Sequence, residues 1–526
     1  MREHSVPLLT QATGFARFAL GVRPFLRTVV SVDEARSRIR VAMQDRELRF
    51  LQMVQRVVFA NPRSPYLALL RHAGCDQQDL EQLVKREGLE GALQQLFSSG
   101  VYVDFEEFKG RIPAVRGSAT FHFQHTDFDN PLTTGHFSGS TGGSSGRSGR
   151  VRFDLQHIEE SAPHWAAWLG AHGIENQPLI YWTPMYAALA SGQLRYAKVG
   201  LRFVKWFCMG GGGDAHDRMV QAGVHGLLQW VAGFPRPEIV PLNRPDKVAE
   251  YLGGMVKQGT ALCVAASPSA SARISLAAQE RDVSLAGVSF LLRAEPLTTA
   301  RRAVIEASDG RAIQTYGFSE GGTVGSQCPQ PTEADDIHVY RDAYAIIGRD
   351  FHSDDGAPAS ALLFTALRPS CPKVLINTDI GDYATMETRR CGCLLDELGY
   401  DLHLHTVRSY QKLTGEGVTF YGADVYRILE ETLPRRFGGN LTHYQLIEDQ
   451  DSRALPHYTL RVHPEVGPVD QEALKTAFLR ELGGMRGVYE TMASVWDQGE
   501  LLQVSREPPA VTARGKALPY MTLQRR

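Results

Sequence analysis

Gln314-Thr315-Tyr316-Gly317-Phe318-Ser319-Glu320-Gly321-Gly322 is the stretch that decides how the chain is read. An apolar strand running into an aromatic–Gly–aromatic–Ser–Glu turn delivers a ring, a hydroxyl and a carboxylate to a strand's carboxyl end. Open α/β sheets bind their ligands there. Upstream, short apolar runs at 179–182, 261–265 and 288–292 alternate with helical patterns, which predicts a largely parallel, helix-covered sheet over 150–315. Downstream, between 336 and 407, strands dominate, as at 343–347, 361–365 and 373–377.

After Arg408 comes a smaller segment, with helices expected at 423–433 and 471–482 and strands at 444–448 and 458–462. Residues 33–130 read as helical: Asp33 is placed to cap a run through Ala42, and a helix over 76–96 stops before Gly100. The expected class is therefore α/β. A large N-terminal domain of helix-covered, mostly parallel sheets carries a strand-rich subdomain, and a small mobile α+β lid follows. The corresponding boundaries are 1–130 for a helical region, 131–407 for the core domain and 408–526 for the lid.

Composition narrows the function. A chain of 526 residues exceeds what one hydrophobic core usually serves. A net charge of -2 excludes a nucleic-acid partner held by bulk electrostatics. No apolar run approaches the roughly 18 residues of a membrane-spanning helix. From Val6 to Val32 there is no acidic residue, while Arg17, Arg23 and Arg27 interrupt an apolar pattern. The reading preferred is an amphipathic helix docked on the body; a transit peptide or a membrane-surface helix is the alternative. Seven cysteines, an odd number without a secretory signal, point to a reducing, cytoplasmic setting. Cys75, Cys208, Cys263 and Cys371 read as buried small hydrophobes or inert surface thiols.

Further motifs accompany the turn at Tyr316. Ser138-Gly139-Ser140-Thr141-Gly142-Gly143-Ser144-Ser145-Gly146-Arg147 packs glycines between hydroxyls, so successive amides can point at one anion; Gly/Ser runs also serve as linkers. It is not a Walker A loop, because no Gly-Lys-Ser/Thr follows. Arg293-Ala294-Glu295-Pro296-Leu297 precedes the turn, Ile380-Gly381-Asp382 presents one carboxylate, and Arg514-Gly515-Lys516 places a lysine near the carboxyl end.

In this order the motifs resemble the adenylate-forming superfamily of acyl-CoA synthetases and carrier-loading adenylation domains, over residues 130–526, and most of all its phenylacetate–CoA ligase branch. The resemblance implies ATP and Mg²⁺ as reactants and assigns roles. Ser138, Gly139, Ser140, Thr141 and Gly142 would hold the β- and γ-phosphates. Ala294, Glu295 and Pro296 would pack on the adenine, with Tyr316 and Gly317 on its other face. Ser319 would touch the α-phosphate, Glu320 would hold Mg²⁺, and Asp382 would take the ribose hydroxyls with Arg408. Lys516 would bridge the carboxylate and the α-phosphate. Those residue types suit the chemistry, since a carboxylate approaching a phosphate needs cations and amide dipoles where charge accumulates.

Cys328, His338, Cys391 and Cys393 flank the same motifs, and three thiolates with one imidazole can close a tetrahedral zinc site. On spacing alone a core histidine among buried thiols is the reading preferred; the resemblance to the branch implies a structural zinc instead. The chain departs from its relatives in two places. Gly143-Ser144 follows Thr141-Gly142 where relatives carry a loop lysine, with Arg147 or Arg150 as substitutes, and Tyr410 and Glu416 replace a hinge acid and an arginine. Both bear on the lid rotation and the thiol-transfer step.

Trp182, Tyr186, Trp206, Phe207 and the Gly210–Gly213 run suggest an acyl pocket for an aryl or apolar acid, or else plain core and a tight turn. The function so implied is activation of a small carboxylic acid as an acyl-adenylate, then transfer to the thiol of CoA. The alternatives are a different acceptor (a carrier protein, an amine, or nitrite used to diazotise an aryl amine) and a non-catalytic ligand-sensing paralogue. A homodimer is compatible with either.

Overall fold

The computed structural model describes residues 8–133, 137–140, 150–185, 189–211, 215–352, 358–409, 412–415, 418–451, 453–484, 488–510 and 519–522. Twelve strands share one sheet. In chain order they are β1 Leu179–Met185, β2 Phe203–Gly211, β3 Pro237–Ile239, β4 Leu262–Ala266, β5 Val288–Leu292 and β6 Arg311–Phe318. Then follow β7 Gly322–Gln327, β8 Ile337–Val339, β9 Tyr344–His352, β10 Pro358–Ala366, β11 Thr378–Thr388 and β12 Leu402–Ser409. Every residue of β4 and β5 is buried, so both sheet faces need cover, and the helices Pro245–Lys257, Pro268–Gln279 and Thr299–Glu306 belong to the connections between these strands.

Across the sheet the order is β9-β10-β11-β12-β8-β7-β6-β5-β4-β1-β2-β3. The strands from β1 to β6 pair in parallel, and every pairing from β6 onward through β7, β8, β12, β11, β10 and β9 is antiparallel. The parallel and strand-rich parts of the sequence are thus two halves of one sheet, joined at the β6–β7 hairpin.

The helical N-terminal region is built onto the antiparallel half. Asn377 Nδ2 donates to the carbonyls of Leu93 (2.8 Å) and Val101 (3.2 Å), and Tyr66 Oη meets Thr378 Oγ1 at 2.6 Å. One apolar core runs from Phe50, Val57 and Leu93 through Trp168 to Phe364 and Leu404. The helix Leu8–Leu26 buries Phe18 and Val22 against Leu155, Ile158 and Leu194, the docked arrangement preferred from sequence. Among the described residues no helix is long and apolar enough to cross a membrane. Two local readings shift. Ser31, not Asp33, caps the helix Val32–Gln44 by accepting from the Glu34 amide, and Gly88 kinks the helix Gln77–Ser98.

A four-stranded C-terminal sheet runs in the order Leu502–Ser505, Pro456–Val462, Tyr444–Gln450, Tyr520–Thr522. Its Leu446 and Leu460, with Trp496 of the helix Val488–Gln498, share a core with Ile180, Phe207 and Phe290 of the large sheet. The helix expected over 423–433 begins at Gly422 and continues through a π-turn, Ile428–Thr432, to Phe437.

Candidate active site and metal cluster

The β6–β7 turn forms because of Gly317. A β-carbon there would stand 2.3 Å from the Gly322 carbonyl oxygen and 2.8 Å from Thr323 Cα, so a glycine is required where β6 bulges after Tyr316. Tyr316 Oη donates to Asp382 Oδ2 at 2.8 Å, joining β6 to β11 across the face of the sheet. Burial, and then the charge of Asp382, holds the Tyr316 phenol well above its usual range, which keeps it a donor. Ser319 is exposed at the tip and Glu320 is buried.

Glu320 does not stand alone. Lys109 Nζ lies 2.6 Å from its Oε1, with the lysine side chain 2% exposed and the glutamate 11%. Lys109 closes the short helix Phe105–Phe108, and its ammonium sits 5.2 Å from the Phe108 ring centre. The helix is fixed by a buried two-pronged Arg116–Glu107 pair, both contacts 2.8 Å. Lys373 and His125 lie beside this pair: Lys373 donates to the His125 carbonyl at 2.7 Å and pairs with Asp129 at 2.5 Å. Burial, then the charges of Lys109 and Lys373, pulls His125 down to about 4, so it is neutral at pH 7.

The Arg293–Leu297 segment folds differently from a simple adenine shelf. Ala294 is exposed with φ of 71°, a left-handed conformation unusual for a residue with a β-carbon. Glu295 turns inward: its carboxylate accepts from Ser269 N (3.2 Å) and Oγ (2.8 Å) and pairs with Arg301 at 3.1 Å. Its side chain is a clasp tying the segment after β4 and the end of β5 to the helix Thr299–Glu306. The carbonyls of Glu295 and Pro296 accept from Gln314 (3.0 Å) and Arg301 (3.1 Å), and Ala294 is the exposed residue of the stretch. Arg301 Nε also reaches the Ala454 carbonyl (3.4 Å), a link to the C-terminal sheet.

Other expected residues fall as follows. Ser138, Gly139 and Ser140 lie in a strand, Phe137–Ser140, paired with Arg150–Phe153 so that Ser140 stands opposite Arg150; the phosphate segment is thus in part a hairpin arm. Thr141, Gly142, Arg147, Tyr186, Gly212, Gly213, Tyr410, Glu416 and Lys516 lie outside the described residues. Arg408 stands opposite Tyr383, with Ser409 opposite Asp382, and its guanidinium bonds Asp335 at 2.9 Å; the structure gives it Asp335 as partner instead of bringing it beside Asp382. Trp182, Trp206 and Phe207 are core residues: Trp182 Nε1 donates to the Val240 carbonyl, and Trp206 packs on His225.

Cys328, His338, Cys391 and Cys393 come together, with one ligand atom of each within 4.8 Å of all the others. Sγ of Cys328 and Cys391 are 3.6 Å apart, close to the ~3.8 Å edge of a tetrahedron of zinc–sulfur bonds. His338 Nδ1 engages the Tyr400 carbonyl at 2.5 Å, which turns Nε2 to Cys393 (3.3 Å) and Cys391 (3.5 Å). The hydrogen bond from Cys328, and then His338, pulls the Cys393 thiol far down toward thiolate. The donor set fits zinc and offers no open position for chemistry. Tyr400 carries the cluster into the core, since its hydroxyl donates to Asp342 (2.7 Å), which also holds His164 of the helix Leu155–His172 at 2.9 Å.

Comparison with solved structures follows this geometry. The chain is similar to 2-hydroxyisobutyryl-CoA ligase, in the structure bound to 2-HIB-AMP and CoA in the thioesterification state, at a TM-score of 0.53 and 14% identity, over 91% of this chain and 89% of that one. The fold is that of the adenylate-forming CoA ligases. An amide bond synthetase from Marinactinospora thermotolerans aligns at a TM-score of 0.43 (13% identity, 76% and 70% covered), and a malonyl-CoA ligase at 0.42 (9% identity, 81% and 88% covered). No protein-family profile and no curated protein matches the sequence.

Within this adenylate-forming fold, Lys109, Arg301 and Ser269 are the residues that sequence reasoning missed. Lys109 is 211 positions from Glu320, and no local spacing signals it. Removing one partner of a buried pair leaves the other charged and unsatisfied, so Lys109→Met should cost about 3 kcal/mol of stability. The double variant with Glu320→Gln should recover most of it; additive losses in urea unfolding would contradict the pairing. Protein purified without added metal should hold about one zinc per chain, and Cys393→Ser should lose it and melt about 5 °C lower. Elemental analysis finding no zinc in the parent protein would refute the assignment.

Proposed function

We propose that the chain activates a small carboxylic acid with Mg·ATP and passes the acyl group to the thiol of CoA. The acid's carboxylate oxygen attacks the α-phosphorus, pyrophosphate leaves, and the thiolate then attacks the acyl carbon with departure of AMP. The observation that carries this reading is the β6–β7 turn, where Tyr316, Ser319, Glu320 and, through a hydrogen bond, Asp382 meet at the junction of the two sheet halves. Asp382 suits ribose hydroxyls, and the exposed Ala294, held in a left-handed conformation, suits an adenine edge. The motifs and the thiol–imidazole cluster resemble the phenylacetate–CoA ligase branch, which supports this reading.

A magnesium ion would supply charge neutralisation on the triphosphate, and it needs few protein ligands because it keeps waters and phosphate oxygens. Glu320 supplies such a carboxylate. Lys109 adds a fixed cation beside it, which suits a site whose phosphate loop has no lysine. In this reading Ser138, Gly139, Ser140, Thr141 and Gly142 hold the phosphates and Lys516 bridges the reacting groups. The same Lys109 contact favours the second reading, a ligand-sensing paralogue, because it already occupies Glu320 Oε1.

Pyrophosphate release, assayed over a panel of acids with and without CoA, separates these readings. The ligase reading expects pyrophosphate with at least one acid, acyl-CoA when CoA is present, and at least a hundredfold loss in Lys516→Ala with ATP still bound. Pyrophosphate without acyl-CoA would favour a carrier-protein or amine acceptor. No pyrophosphate and no AMP with any acid would favour the paralogue.

A further inference from the structure

Two histidines face each other at one end of the C-terminal sheet, far in sequence from every motif used so far. His443 directly precedes the strand Tyr444–Gln450, and His463 directly follows the strand Pro456–Val462. The antiparallel pairing of Tyr444 with Val462 carries over to them, because the His463 amide donates to the His443 carbonyl at 2.8 Å. Directly opposed residues put their side chains on one face. Here the two imidazoles stack with centres 5.0 Å apart and 19° between their planes. Glu465, in the short turn Pro464–Val466, reaches back to both rings: its Oε2 lies 3.7 Å from His443 Nε2 and 3.8 Å from His463 Nδ1.

The hydrogen bonds around this group fix where its protons are. Asn440 Oδ1 accepts from the Thr442 amide (2.9 Å) and hydroxyl (2.7 Å), so Nδ2 is the end turned to His443, and it donates to Nε2 at 3.2 Å. The Glu465 amide donates to His463 Nδ1 at 3.2 Å. An amide N–H only donates, so both of these ring nitrogens carry lone pairs. The other nitrogen of His443, Nδ1, is enclosed without an acceptor beneath Gly439, where a β-carbon would stand 2.8 Å from it.

Two lone-pair nitrogens and a carboxylate are therefore brought together with no hydrogen between them, at separations longer than a hydrogen bond. Three such acceptors repel unless a cation joins them. Among the described residues no lysine or arginine forms an ion pair with Glu465. Arg506 instead donates to the carbonyls of Pro464 (3.1 Å) and Gly467 (2.6 Å), which holds the turn in place. One ligand atom from each of the three residues lies within 4.8 Å of the others. Zinc bonds of about 2.0–2.1 Å set the nitrogen and oxygen ligands of one tetrahedron about 3.4 Å apart, a few tenths of an ångström inside the contacts to Glu465.

We propose that His443, His463 and Glu465 bind a zinc ion, at a site separate from the Cys328–His338–Cys391–Cys393 cluster. Two imidazoles and one carboxylate suit zinc better than magnesium or calcium, which take oxygen ligands. Three protein ligands leave a position for water, and Glu465 is 73% exposed, so this ion exchanges with solvent where the cluster's does not. Bound there, it fastens the segment before Tyr444 to the turn after Val462 and stiffens that end of the sheet. The inference does not depend on the acid-activation reading.

The test titrates zinc into the tag-free full chain by calorimetry, with native mass spectrometry counting the metal. The parent should take up one zinc beyond that of the cluster, and Glu465→Gln and His463→Ala should each weaken this step about tenfold or more. Glu465 is exposed, so Glu465→Gln should melt at the parental temperature before zinc is added, which separates lost binding from lost folding. Added zinc should raise the melting temperature of the parent and leave that of His463→Ala where it was. Cys393→Ser should keep the step; its disappearance there would assign the metal to the cluster and overturn the inference. No further zinc taken up at about 100 µM, or a step undiminished in both Glu465→Gln and His463→Ala, would also overturn it.

Discussion

The close approach of Gly317 to the Gly322 carbonyl and Thr323 governs the rest of the structure. It lets β6, the last parallel strand, fold straight back as β7, the first antiparallel one, so two kinds of sheet become one. A side chain at that position would push β7 away and open the junction. The functional consequence is local: the same bulge aims Tyr316 at Asp382 on β11 and leaves Ser319 and Glu320 at the crest of the turn. A ligand seated there touches both halves of the sheet.

Charge around the turn is supplied from far away in sequence. Lys109 arrives from the N-terminal region on a helix clamped by Arg116 and Glu107, and that region is welded to the antiparallel half through Asn377 and Thr378. The helical N-terminal region therefore contributes to the site as well as to the core. On the other flank, the Cys328–His338–Cys391–Cys393 cluster fixes the ends of β7, β8 and the loop entering β12, and the Tyr400–Asp342–His164 chain ties it to the central helix. These two anchors hold the hairpin from both sides, an arrangement suited to a preorganised ligand site.

Much of this was legible in the sequence, and the reasons differ by residue. Period and punctuation gave the parallel strands, because a mostly apolar run such as Val288–Leu292, broken only by Ser289, suits a strand covered on both faces. The turn at Tyr316 and the carboxylate at Asp382 were readable because strand ends and glycine-freed turns have local signatures. The thiol–imidazole cluster was readable as a set of residue types, though spacing favoured a core histidine until His338 was seen turned toward the thiols by Tyr400. The inward turn of the Glu295 side chain was not readable, since a motif records which residue is present and not which way its side chain faces. Lys109 and the Asp335 partner of Arg408 were illegible, because each depends on contacts between segments that only the tertiary fold brings together.

The central claim is that an acid's carboxylate attacks the α-phosphorus of ATP at this turn. Oxygen-18 in both carboxylate oxygens of a turned-over acid tests it directly, with the products read by mass spectrometry. Attack at the α-phosphorus followed by thiol transfer leaves one labelled oxygen in AMP. Label in inorganic phosphate, or AMP formed without label, would contradict it.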